Sequence, residues 1–166
     1  VPRCWSWASA CGCAPPLSAS SDSRPTTTTT AAAEQTEAVG AALAARLSPG
    51  DVVLLAGEMG SGKTTFVRGA ARALGYDGPV TSPTFTIGRR YDGRVPIAHL
   101  DLHRLASLDD EDPALLDDYL TPDAVAFVEW PEVAEPGLEH VRARVTLAHA
   151  GGDRRTITVE PAGGSS

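Results

Sequence analysis

Lysine is almost absent from this chain of 166 residues: Lys63 is the only one among 14 Lys and Arg residues. A base-reading Asn/Thr-Lys-x-Asp motif of the GTPase type needs a lysine elsewhere, so a GTP switch is disfavoured. Cysteine is scarce too, and Cys4, Cys11 and Cys13 all fall near the start, in a spacing that matches no zinc motif. The remaining chain therefore cannot depend on disulfides, which suits a reducing, cytoplasmic setting. No segment approaches the roughly 18 uninterrupted apolar residues of a membrane helix. Positive charge is in deficit: 21 acidic residues outweigh 14 basic ones, for a formal net charge of −7. Such a surface does not neutralise nucleic-acid phosphates without a partner or a local basic patch.

Residues 1–30 are rich in Ser, Thr, Pro and Ala and end in Pro25 and the run Thr26 to Thr30, which reads as a disordered low-complexity extension. Its apolar stretch is short and broken by serines, unlike a secretory signal. It is Ser-rich and acid-poor like a transit peptide, yet carries only Arg3 and Arg24. Residues 31–162 have ordinary globular composition and are expected to form one domain, with 163–166 as a flexible tail.

What the chain does have is Gly57-Glu58-Met59-Gly60-Ser61-Gly62-Lys63-Thr64, a fit to the phosphate-binding pattern GxxxxGK[ST]. Asp51 to Ala56 before it is an apolar run of strand length, as for a parallel strand buried on both faces. Phe66, Ala70, Ala73 and Leu74 after it have helical spacing, ending at Gly75. Strand, glycine loop and helix thus come in the order the motif requires. The loop's backbone N–H groups and the helix's positive end would converge on phosphate oxygens. The ammonium of Lys63 would reach between the outer phosphates, and the Thr64 hydroxyl would ligate Mg²⁺.

Ala31 to Leu47 reads as a helix, with Val39, Leu43 and Leu47 on one face, stopped by Ser48-Pro49-Gly50. Thr84 to Tyr91 and Arg94 to Leu100 read as strands joined through the turn dipeptide Asp92-Gly93. Asp109 to Pro113 opens a short helix reaching about Tyr119, and Ala124 to Val128 is a buried strand. Val141 to Leu147 and Arg155 to Val159 alternate around Gly151-Gly152-Asp153 as a terminal hairpin with one wet face. The fold class is α/β, a P-loop NTPase-type three-layer fold with a mixed, largely parallel sheet and a C-terminal antiparallel hairpin.

Phosphoryl transfer also needs a carboxylate for the metal and a group to position water. Asp101 and Glu129 each end an apolar strand, where ligands of open α/β sheets bind. Which of the two holds the metal and which orients water is left open at this point. Ser82-Pro83-Thr84-Phe85-Thr86 could supply hydroxyls to the γ-phosphate or metal, or be a simple turn. His99 and His103 flank Asp101, but their spacing on a strand end does not suit zinc. Trp130 reads either as core packing or as a nucleotide-sensitive lid.

Together these residues resemble the TsaE family, also called YjeE, small P-loop ATPases of bacterial tRNA threonylcarbamoyladenosine synthesis. The resemblance spans roughly Glu34 to Glu132 and rests on Gly57 to Phe66, on Ser82 to Thr86, on His99-Leu100-Asp101-Leu102-His103-Arg104-Leu105, and on Val128-Glu129-Trp130-Pro131-Glu132. The first segment is generic; the other three, in this order, are specific. The family's loop usually reads Gly-Asp-Leu-Gly-Ala-Gly-Lys-Thr, so Glu58, Met59 and Ser61 are conservative departures, and His103 stands where a tyrosine is common.

The resemblance implies Mg²⁺-dependent ATP hydrolysis on a complex of TsaB and TsaD, in support of threonylcarbamoyl transfer to adenosine 37 of tRNAs reading ANN codons. It implies contact with tRNA only through those partners. Lys63, Asp101 and Glu129 would be catalytic, with Thr64, Asp101 and Glu129 near the metal. Glu58, Met59, Gly60, Ser61, Gly62, Lys63, Thr64, Thr65 and Trp130 would surround the nucleotide. A small-molecule P-loop kinase is the competing reading; it needs clustered arginine at a substrate site, for which Arg89-Arg90 is the one candidate.

Overall fold

The computed structural model describes residues 24–83, 86–103, 114–133 and 137–162. In chain order these form β1 (Thr26–Thr30), α1 (Ala33–Ala44), β2 (Val52–Ala56), α2 (Lys63–Ala73), β3 (Gly88–Asp92), β4 (Pro96–Asp101), α3 (Ala114–Asp117), β5 (Val125–Glu129), a 3-10 turn at Pro131–Val133, β6 (Val141–His149) and β7 (Arg155–Pro161). The strands make one seven-stranded sheet in the order β1-β7-β6-β2-β5-β4-β3.

The most apolar strands lie in the middle. β2 runs parallel to both β5 and β6, and β4 runs parallel to β5. The flanks are antiparallel, β3 with β4 and β7 with both β6 and β1. The sheet is therefore mixed, parallel at its centre only, because the short connections of the β3–β4 and β6–β7 hairpins cannot make parallel crossovers.

Alternation along the central strands decides which end groups meet. Val53, Leu55, Ile97, Val125 and Phe127 pack with Phe66, Val67 and Ala70 of α2 in one core cluster. Val52, Leu54, Ala98, Leu100, Ala126 and Val128 form the core of the other face, against Leu116, Tyr119 and Leu120. Successive side chains of a strand point to opposite faces. The parity that sends Ile97 and Phe127 toward α2 therefore places His99, Asp101 and Glu129 on the same side, at the end of the sheet where α2 begins.

Helices α1 and α2 cover that face with their backbones close together. A Cβ at Gly69 would lie 2.0 Å from the carbonyl oxygen of Glu37, so only glycine fits at this crossing. The Glu37 carboxylate accepts from Arg68 at 3.3 Å and also from Arg72, tying the helices side by side. Among the described residues no helix is long and apolar enough to cross a membrane.

Three expectations change. The extension expected to be disordered through Thr30 ends earlier: Thr26–Thr30 is an edge strand, in register with β7 from Thr26 opposite Val159 to Thr30 opposite Arg155. β-Branched threonine suits a pleated edge, and buried Thr30 shares a 2.9 Å hydroxyl hydrogen bond with buried Thr36 of α1. The rest of that extension before Arg24 lies outside the described residues, as do Thr84, Phe85, Asp109 to Pro113 and the tail 163–166. β3 begins at Gly88, later than Thr84. The β3–β4 connection is also longer than a two-residue turn: Asp92 pairs with Pro96, and the N–H groups of Arg94 and Val95 donate to Leu74 O at the end of α2.

Candidate nucleotide site

Beyond β2 the chain leaves the sheet at Gly57 and becomes helical at Lys63. The N-cap of α2 is Gly62, at φ +103 and with no side-chain cap. That left-handed conformation strains any residue with a Cβ. As at any helix start, the first N–H groups of α2 lack intrahelical acceptors, and here no side chain caps them. Gly62, Lys63, Thr64 and Thr65 line a cavity of ≈ 340 Å³, joined by Met59 and Gly60 of the loop. An uncapped helix start with a buried ammonium beside it fits an anion such as phosphate.

Lys63 is buried, and its Nζ donates to Gly57 O at 2.8 Å and to Glu58 O at 3.1 Å. These bonds hold the ammonium inside the loop. Glu129 Oε2 lies 3.8 Å from the same nitrogen, and the ring of Trp130 is centred 4.9 Å from it. Trp130 has φ +56, an uncommon conformation for so large a residue, and its N–H donates to Leu55 O at 3.2 Å. The turn ends β5 abruptly and swings the indole over Lys63. The exposed ring of His103 packs on it at 4.8 Å between centroids.

The two acids sit side by side. Asp101 and Glu129 are register partners on β4 and β5, and both line the cavity with Ser82, His103 and Trp130. Asp101 Oδ1 accepts from the His103 N–H at 3.1 Å, and Ser82 Oγ is 3.5 Å from Oδ2. Glu129 is buried, and its Oε1 lies 2.8 Å from Nε2 of fully buried His99. Among the described residues no three His, Cys, Asp or Glu side chains cluster as a self-sufficient metal cage. Two carboxylates and the Thr64 hydroxyl beside a phosphate site suit magnesium, which takes few protein ligands and completes its shell with water and phosphate oxygens.

The structure thus brings Met59, Gly60, Gly62, Lys63, Thr64, Thr65, Asp101, Glu129 and Trp130 together, and leaves two expected residues off the cavity wall. Ser61 is fully buried, and its hydroxyl has no partner among the described residues. Glu58 is exposed and contributes its carbonyl oxygen, which accepts from Ser61 N as well as from Lys63. Sequence reasoning missed the His99 contact, since it weighed that side chain only as a metal ligand. Parity puts both side chains on one side of the sheet, but it is the strand order that makes β4 and β5 neighbours.

Other concavities are differently placed. One of ≈ 400 Å³ adjoins the opposite side of the loop, between Ala31 to Glu34 and Arg155. Another, of ≈ 550 Å³, lies at the other end of the sheet near Gly50, Asp51 and Thr121, away from the loop and from the carboxyl ends of β2 and β5. Arg89 and Arg90 line none of these three; both are exposed on edge strand β3, and Arg90 donates to Asp118 O at 2.9 Å.

Comparison with known proteins agrees with this architecture. The family described as "Threonylcarbamoyl adenosine biosynthesis protein TsaE" matches residues 30–157, which carries the likeness through the terminal hairpin into β7. Among curated relatives, the tRNA threonylcarbamoyladenosine biosynthesis protein TsaE of Bacillus subtilis is 40% identical over 131 residues, covering 78% of this chain and 82% of that one. The TsaE protein of Treponema pallidum is 35% identical over 127 residues, 76% of this chain and 94% of that one. A crystal structure of YdiB from Bacillus subtilis superimposes with a TM-score of 0.70 at 35% identity, over 84% of this chain and 87% of that chain. With the loop, the paired strand-end acids and the Glu-Trp turn in one place, the chain belongs to the TsaE family of threonylcarbamoyladenosine biosynthesis proteins.

Proposed function

We propose that the chain is a Mg²⁺-dependent ATPase of the cytoplasm, required for threonylcarbamoylation of adenosine 37 in tRNAs reading ANN codons and acting on a complex of TsaB and TsaD. The observation that carries this reading is the buried Lys63 ammonium at the start of α2, 3.8 Å from Glu129, with Asp101 in register beside it. Water attacks the γ-phosphorus of ATP, the bond to the β,γ-bridging oxygen breaks, and ADP, inorganic phosphate and a proton leave.

Each residue has a part. The N–H groups from Gly60 to Thr65 and the end of α2 bind the phosphates, and Lys63 offsets charge on the outer ones. Thr64 and one of the two acids, Asp101 or Glu129, would hold magnesium, which supplies charge neutralisation on the phosphate oxygens. A carboxylate not engaged with the metal orients the attacking water. Trp130, over Lys63, shields the site from bulk solvent.

Among the described residues Lys63 is the sole Lys or Arg lining the cavity. Turnover by the isolated chain is therefore expected to be slow, with a further cation coming from a partner, as arginine fingers supply charge in trans. Phosphate release is measured with and without a TsaB–TsaD complex, and equal rates would count against the partner assignment. The kinase reading loses support because neither Arg89 nor Arg90 lines the cavity; detection of a phosphorylated metabolite would revive it.

A further inference from the structure

Histidine 99 is fully buried on β4, where an apolar side chain would pack without polar cost. Its Nε2 is 2.8 Å from Glu129 Oε1, and a carboxylate oxygen only accepts, so Nε2 carries the proton of that bond. Nδ1 is buried with no partner among the described residues. A buried polar atom without a partner costs stability. The ring therefore sits at some expense in a place where its one hydrogen bond goes to a site carboxylate.

The rest of the geometry shows what that bond does. Glu129 Oε2 is 3.8 Å from Lys63 Nζ, beyond hydrogen-bond length, while Lys63 donates to Gly57 O and Glu58 O. The loop carbonyls hold the ammonium from one side, and the carboxylate needs a hold of its own. The anchor on the opposite oxygen provides it. Tyr91 of β3, its ring 6.5 Å from that of His99, spends its hydroxyl on Thr81 O and does not compete for Glu129.

We propose that His99 is the positioning residue of this site: by holding Oε1 it fixes the Glu129 carboxylate, so that Oε2 remains available and does not collapse onto Lys63. The inference rests on the ATPase reading of the site. Without the imidazole, Glu129 and Lys63 form a close ion pair, and each is withdrawn from its task, one from water or metal and the other from phosphate.

The test compares His99→Leu with His99→Gln in the full chain, since a glutamine amide places an N–H where Nε2 stands and leucine places none. ATP turnover is resolved into kcat and KM, binding of a non-hydrolysable ATP analogue is followed by calorimetry, and the imidazole ¹⁵N correlation spectrum is recorded without nucleotide. His99→Leu is expected to lower kcat about ten- to a hundred-fold, as for a displaced reactive group, and to weaken analogue affinity with it, because the close ion pair also withdraws Lys63 from phosphate. His99→Gln is expected to recover most of the loss. The spectrum should show the Nε2–H tautomer, with a signal that moves in Glu129→Gln. Equal losses in both His99 variants, or an imidazole protonated at Nδ1 alone, would overturn the proposal. Should the leucine variant not fold, the glutamine variant and the spectrum decide. A wild-type chain that never turns over ATP, even with partners, would instead sink the ATPase reading, and the tautomer would still decide on His99.

Discussion

Replacing Lys63 by alanine separates the chemical role of the ammonium from its structural one. In the structure, Lys63 makes two charge-assisted hydrogen bonds to loop carbonyls and has Glu129 as a more distant neighbour. Removing one partner of a tightly buried ion pair costs about 3–5 kcal/mol. Three features reduce that here. The pair is separated by 3.8 Å, Glu129 retains its bond to His99, and the Glu58 carbonyl belongs to an exposed loop residue that water can reach. A stability loss of about 1–2 kcal/mol is the resulting estimate, or a fall in Tm of roughly 3–8 °C for a domain of this size.

The catalytic loss is larger. A preorganised cationic donor on the transferring phosphate contributes on the order of 3–4 kcal/mol, so turnover should fall at least about a hundred-fold. Phosphate release at a temperature below both melting transitions reads the chemistry; circular dichroism melting reads the fold. Lys63→Arg should rescue little, because a planar guanidinium does not enter a loop closed around a compact ammonium. Turnover unchanged in Lys63→Ala would refute the site assignment. A fall in Tm beyond about 15 °C would refute the partition, making Lys63 chiefly a structural ion.

Gly69→Ala tests the helix crossing: a Cβ 2.0 Å from Glu37 O forces α1 and α2 apart, and overpacking of about 1–3 kcal/mol outweighs the ~1 kcal/mol gain in helix propensity. Urea denaturation should show a lower midpoint, and a stabilised variant would contradict the packing. Alkaline pH tests Tyr91, whose pKa burial raises above 10.0. Above the unfolded value the unfolded chain has released that proton and the folded one still holds it, so stability is intact below about pH 10 and falls as pH rises further. Tyr91→Phe should flatten this alkaline limb of a pH–stability profile, and an unchanged limb would assign the loss elsewhere.

The parts of the site that are local in sequence were legible there. A strand, a glycine-rich turn and a helix that must be contiguous to bind phosphate leave a contiguous signature, and Lys63 and Thr64 fall where that signature puts them. Asp101 and Glu129 were legible as acids ending apolar runs, but the residues alone do not show that β4 lies beside β5 and sets these acids in register. That adjacency is a property of strand order. His99 went unrecognised for the same reason, because its partner is 30 residues away on another strand. Edge strand β1 was read as low complexity from its run of threonines, although threonine favours strands; its partner β7 lies near the other end of the described chain. Asp92-Gly93 suggested a two-residue turn, yet tertiary bonds from Arg94 and Val95 to Leu74 O select a longer one.

The charge inventory of the cavity constrains how the proposed reaction can run. Among the described residues its side chains offer one Lys ammonium against the carboxylates of Asp101 and Glu129, a balance that favours cations. A nucleoside triphosphate brings several more negative charges into a partly desolvated space, where like charges repel more strongly than in water. Loop amides and the α2 terminus offset only a fraction of this, about half an elementary charge for a helix end. Under the proposed ATPase reading, a divalent ion between the carboxylates and the phosphates would then be needed for binding as well as for turnover. Affinity for ATP should accordingly collapse on chelation of divalent ions, far more than affinity for a less charged adenine nucleotide. Equal affinity with and without the divalent ion would show that Asp101 and Glu129 face away from the phosphates, and the assignment of both acids to the site would fail with it.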